Sequence, residues 1–193
     1  MRLRNTSANW GSIAKLFHWL IALFIIGNMV LGYWAEGLSL SPTKVEAFYW
    51  HKTIGLTVLW LAVLRLLWRV TNPTPRLPGD MAGWERALAH ASHFLLYTLM
   101  IAMPLSGWII NSAANFPIDL YGFLPVPDLV PADMNESAIE EVAKIVHYYL
   151  FIAICVLLGL HVAGALKHHF VNGDGVLKRM LPFSRASDPI RGE

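Results

Sequence analysis

The sequence predicts an all-α integral membrane fold: a four-helix bundle with both termini cytoplasmic. Three observations carry that expectation. Charged residues make up only 15% of the 193 residues, against about 25% in a soluble domain. Four apolar stretches, at about 13–33, 47–70, 87–110 and 138–170, are each long enough for a hydrocarbon core of about 30 Å, which takes about 20 residues. The apolar part of the fourth runs roughly from Val142. Basic residues, finally, collect on alternate connections. Arg2, Arg4 and Lys15 flank the first stretch, Arg69, Arg76 and Arg86 lie between the second and third, and Lys167, Lys178, Arg179, Arg185 and Arg191 follow the fourth. The loop after the third stretch instead carries Asp119, Asp128, Asp133, Glu136, Glu140 and Glu141 against Lys144 alone. The positive-inside rule places that loop on the periplasmic side of a bacterial inner membrane.

The connections are too short to hold a second domain, so residues 1–193 read as one. No cleavable signal peptide is expected, because the first stretch lacks a small-residue cleavage site and carries His18 and Trp19 within it. Membrane lipid is the expected surrounding, and no nucleic acid is expected as a partner.

The first helix begins near Ser12. Gly27 and Gly32 punctuate its outer half, and Trp34 marks the outer interface. The second opens with Ser41-Pro42-Thr43-x-x-Glu46, read as a capping box, and ends at Thr71-Asn72-Pro73, since proline cannot continue a helix. Pro73, Pro75 and Pro78 stiffen the next connection. The third helix carries Pro104 and Gly107 and is expected to bend there. Asn111–Asn135 is a long outer loop, and Phe116, Leu120, Tyr121, Phe123 and Leu124 place it against the membrane surface. Ser137-x-x-Glu140 reads as a second capping box. Asn172-Gly173-Asp174-Gly175 ends the fourth helix, and the basic tail beyond it is expected to fray. Trp19, Trp34, Trp50, Trp68, Trp84 and Trp108 fall near helix ends, as an aromatic belt does.

Histidine is the informative residue. His147 and His161 lie fourteen residues apart on the fourth helix, which is about 21 Å along its axis and only about 40° around it. Depth counting puts His51 level with His147 on the outer side, and His18 level with His161 on the inner side. A lone histidine in a membrane helix is as often a polar residue bonded to a neighbouring helix. Two depth-matched pairs instead suggest two haems, each clamped between helices, since an imidazole in lipid needs a partner. The pairs are too far apart for one tetrahedral zinc. Cys155 is the single cysteine and no C-x-x-C-H occurs, so covalent attachment of a c-type haem is excluded.

Other residues are candidates with competing readings. Gly55, Gly159 and Gly164 leave room for a flat macrocycle or for close helix packing. Arg65 and Arg69 pair with haem propionates or a quinone head group, or snorkel to the interface. Lys52, beside His51, meets propionates, attracts an anion, or snorkels. His90 and His93 rival His18 as the partner of His161, or bind a quinone carbonyl, or carry a proton. His168 and His169 read as surface residues.

The chain resembles the bacterial cytochrome b561 family over about residues 12 to 181. The matching pieces are Phe17-His18-Trp19, His51-Lys52-x-x-Gly55, Arg65-Leu-x-x-Arg69 and Asn72-Pro73. They continue with His90-Ala-x-His93-x-x-x-Tyr97, Pro104-Leu-Ser-Gly107-Trp108, His147, His161 and Ala165-Leu-Lys-His-His169. The resemblance implies two b-type haems with bis-histidine ligation and electron transfer to quinone. It further implies either superoxide oxidation coupled to ubiquinone reduction or service as a haem subunit for a partner. The first is the expectation here, with Lys52 in the catalytic role of steering superoxide. The alternative is a haem b subunit linking a periplasmic redox protein, docked on the acidic loop, to the quinone pool.

Overall fold

Four long helices span the molecule. The structure, a computed structural model, describes residues 2–79, 81–131, 134 and 136–182. Asp133 and Asn135 of the outer loop and Arg185 and Arg191 of the tail lie outside the described residues. The helices are α1 (Ser12–Glu36), α2 (Pro42–Val70), α3 (Gly83–Ala113) and α4 (Glu136–Phe170), all long and apolar enough to cross a membrane. Among the described residues the close helix approaches run α1–α2, α2–α3 and α3–α4. One small core joins Ile21, Ala62 and Met100, with Phe17, Ile25, Leu61 and Tyr97 packed around it. Leu23, Val30, Trp60 and Val156 face outward, where lipid rather than water solvates them.

Several ends differ from expectation. Ser41, not Thr43, caps α2: its hydroxyl accepts from the Lys44 N–H at 3.3 Å with Pro42 in the first turn. Proline loses nothing there, because its missing N–H would have had no helical partner. Helix α4 already includes Glu136, so Ser137 sits inside its first turn rather than at its cap. Pro104 lies inside α3 without ending it, since one lost hydrogen bond is tolerated where neighbouring helices hold the backbone.

The outer loop adds one small element to the helical bundle that was expected to be all helix. Strands β1 (Ile118–Leu120) and β2 (Leu124–Val126) form an antiparallel hairpin with Leu120 opposite Leu124. Its turn uses left-handed backbone at Tyr121 (φ 55°) and Gly122 (φ 78°). Ile118 and Leu120 bury against Leu56 and Leu59 of α2, with Ile101, Leu105 and Trp108 of α3 closing the cluster. The Tyr121 and Thr57 hydroxyls bond at 2.7 Å. The hairpin therefore lies on the flank of the bundle itself, while Phe116 and Phe123 stay exposed.

The tail does not fray where it is described. It forms α5 (Val176–Met180) and folds back under the bundle. Lys15 Nζ donates to the Leu181 carbonyl at 3.1 Å, Trp19 Nε1 to that of Met180 at 2.8 Å, and Arg179 to that of Arg76 at 2.9 Å.

Candidate functional site

Helix α4 meets α1 and α2 through imidazole rings. At the outer level His51 of α2 faces His147 of α4 with ring centroids 6.3 Å apart and planes at 79°. At the inner level His18 of α1 faces His161 of α4 at 6.1 Å and 58°. A metal–imidazole bond is about 2.0–2.1 Å, and the ring centre lies about 1.1 Å behind its nitrogen, so two imidazoles sharing one iron put their centroids roughly 6.2 Å apart. Both pairs have the spacing of a bis-histidine haem. His93 of α3 also reaches His161, at 5.3 Å, which is short for that arrangement.

The outer pair is held in the form that ligates. His51 Nδ1 lies 3.1 Å from the Asn28 carbonyl. A carbonyl only accepts, so the proton sits on Nδ1 and Nε2 is free. His147 Nδ1 lies 2.8 Å from Ser106 Oγ, whose own hydroxyl donates to the Met103 carbonyl at 2.7 Å. With that proton committed, the serine accepts from Nδ1–H and again leaves Nε2 free. Fixing the tautomer from the far ring nitrogen is how proteins orient metal-binding histidines. Two glycines complete the cradle. A Cβ on Gly32 would stand 2.5 Å from His51 Cε1, and one on Gly107 would stand 3.2 Å from His147 Cε1. Spacing, tautomers and cradle all fit a haem b. Lys52 lies beside this level with its ammonium 4.5 Å from the centre of the Phe116 ring.

The inner level is built differently. Arg65 Nη2 lies 3.1 Å from His18 Nδ1. Guanidinium only donates, so here the imidazole proton sits on Nε2. His93 donates from Nδ1 to the Ala89 carbonyl of its own helix at 2.6 Å, leaving its Nε2 free. Arg65 and Arg69 both stand 5.4 Å from the centre of the Tyr97 ring. Among the described residues the ion pairs are Lys144–Glu140, Lys167–Glu85 and His168–Asp174; neither arginine has a carboxylate partner.

The structure thus gathers His18, His93, His161, Arg65 and Arg69 at one level, and His51, His147 and Lys52 at the other. It leaves His90 exposed on α3. His168 is not a free surface group, for it pairs with Asp174 at 2.6 Å. The glycines beside the rings are Gly32 and Gly107. Gly55 instead faces the Asn28 side chain at 3.5 Å, and Gly159 and Gly164 face open space. Asn28, Ser106 and Tyr97 also carry roles that sequence reasoning missed. Depth counting contained the signal for Ser106 and Gly107, which share a level with His147 much as His93 shares one with His161.

The chain is similar to known proteins along most of its length. Residues 9–183 match the family model for prokaryotic cytochrome b561. The chain is 37% identical over 182 residues to cytochrome b561 homolog 2 of Escherichia coli K12, covering 94% of this chain and 95% of that one. It is 28% identical over 172 residues to a protein of Yersinia pestis named as the probable superoxide oxidase CybB, covering 87% and 93%. Cytochrome b561 homolog 1 of Escherichia coli K12 is 25% identical over 169 residues, covering 86% and 92%.

Proposed function

The chain belongs to the prokaryotic cytochrome b561 family, and on that premise we propose that it is a superoxide:ubiquinone oxidoreductase of the bacterial inner membrane with two haems b. Membership itself makes it a haem b-binding electron-transfer protein of a bacterial membrane. The observation that carries the finer reading is the pair of facing imidazole couples, 6.3 Å apart at one level and 6.1 Å at the other.

Each bound haem supplies a one-electron couple. His51 and His147 would hold the outer one through Nε2, with Asn28 and Ser106 fixing their rings. His18 and His161 would hold the inner one, for which Arg65 would have to release His18 Nδ1 so that the proton could move there from Nε2. His93 is placed to serve a quinone carbonyl rather than iron, since its ring stands only 5.3 Å from that of His161. His90 is too far out on the exposed face to join it. If all four histidines hold iron, no open site would remain for oxygen, and the haems would supply outer-sphere electron transfer. Lys52 provides a local positive charge for superoxide at an outer face that is otherwise acidic. In balance, two superoxide anions each lose one electron to become dioxygen, and the two electrons with two protons convert a quinone to a quinol. The distribution of basic residues supports a cytoplasmic location for both termini.

The name of the Yersinia pestis relative supports this reading. A second reading draws on the exposed carboxylates Asp119, Asp128 and Glu141, which suit a basic periplasmic redox protein. One experiment separates the two. Superoxide mixed with the oxidised, purified protein should reduce its haem at once, and a soluble ubiquinone should then reoxidise it. A protein that dithionite reduces but superoxide does not would overturn the first reading and leave the second.

A further inference from the structure

Arg65 and Arg69 lie one helical turn apart on α2, so their like charges repel. In an apolar setting such arginines ordinarily stretch to the interface. Here both guanidiniums instead converge on one ring, each 5.4 Å from the centre of Tyr97. The electron-rich face of a tyrosine attracts a guanidinium at that range. Tyr97 is itself fixed in the core of Ile21, Ala62 and Met100. Arg65 reaches from this platform to His18, 3.1 Å away. No carboxylate among the described residues neutralises either charge. The outer histidines have no such pair. Their nearest cation, Lys52, is turned onto Phe116 at 4.5 Å.

We propose that Tyr97 is a positioning residue that holds the Arg65 and Arg69 guanidiniums beside the inner histidines, and that these two charges raise the reduction potential of the inner haem above that of the outer one. The inference rests on the two-haem reading above. Reduction lowers the positive charge of the iron by one unit, so a fixed cation nearby favours the reduced form. If haem propionates lie against the guanidiniums, the arginines offset that negative charge, and the direction is unchanged. The electron lost by the outer haem is gained by the inner one, with no bond made or broken, so the arginines pull it inward.

The test is a spectroelectrochemical titration of the full-length haem-loaded protein in lipid nanodiscs. In Tyr97→Leu the equilibrium constant for placing the electron on the inner rather than the outer haem should fall about tenfold, which is about 59 mV for one electron. Tyr97→Phe keeps the ring and should retain most of the difference. A His147→Ala background identifies which midpoint is the inner one. Two unchanged midpoints, or two that move equally, in a Tyr97→Leu protein that keeps two haems would overturn the inference. If Tyr97→Leu loses haem or does not accumulate, Arg69→Gln leaves the tyrosine in its core and must lower the inner midpoint alone; no shift there overturns the inference too. A wild-type protein with fewer than two haems overturns this inference and the functional reading together. A two-haem protein inert to superoxide overturns only the functional reading, and the midpoints still decide this one.

Discussion

At the scale of single residues, the outer histidines depend on atoms that are missing as much as on atoms that are present. Gly32→Ala puts a methyl group 2.5 Å from His51 Cε1, on the ring edge whose Nδ1 is tied to the Asn28 carbonyl. His51 must move, and about half the haem should be lost in a pyridine haemochrome assay, with the protein still folded. Gly107→Ala is milder, because its methyl group would meet His147 at 3.2 Å; retention of most outer haem is expected there. A Gly32→Ala protein with full haem content would refute the cradle. Ser106→Ala tests the tautomer. It leaves the His147 Nδ1 donor without its acceptor, a loss of about 1–3 kcal/mol for a buried donor, and outer-haem affinity should fall about 10–100-fold, the usual effect of losing a ligand's hydrogen-bond partner. Equal affinity in titrations of free haem into the apoprotein would show that the serine does not set the tautomer. The histidines themselves were legible in the sequence, since depth follows from counting residues along a helix. Gly32 and Asn28 were not, and Ser106 was legible in depth alone, because which neighbour meets a ring also depends on how each helix is rotated about its axis, and no single helix records that.

At the scale of elements, the four spans were legible because twenty apolar residues in a row leave a chain few options in lipid. The hairpin was not. Its strands are three residues long, too short for alternation to stand out, and Pro125 sits in one of them. Its aromatic residues read equally well as interfacial anchors. What decides the matter is tertiary: Ile118 and Leu120 find the Leu56–Leu59 groove of α2. Leu120→Ala should therefore cost about 2–5 kcal/mol of local stability, as for a truncated core leucine, and should free the loop from the bundle. Limited proteolysis in detergent would then cut between residues 113 and 136 at least tenfold faster than in wild type, with cleavage elsewhere unchanged. Unaltered cleavage would mean that the hairpin is held by other contacts. Loosening it should also take Phe116 away from Lys52, linking loop packing to the cation at the outer site.

At the scale of the whole molecule, α4 supplies one histidine to each proposed site, and the proposal turns on which site faces which compartment. The bases flanking α1, the α2–α3 connection and α5 lie at one end of the bundle, where Arg179 bonds back to the Arg76 carbonyl and Lys15 to that of Leu181. The hairpin with Asp119, and Asp128 beyond it, lies at the other. The outer site needs to meet superoxide, so the orientation argued from charge has a functional consequence. Cys155 faces outward from α4 and is replaced first by alanine, a small apolar stand-in for a free thiol. In that background Asp128→Cys should react with a membrane-impermeant maleimide on spheroplasts, whereas Arg76→Cys should react only after the membrane is permeabilised. The opposite pattern would put the His51–His147 pair on the cytoplasmic side. Superoxide formed outside the cell would then meet the arginine-flanked inner site, and Lys52 would have no part in capturing it.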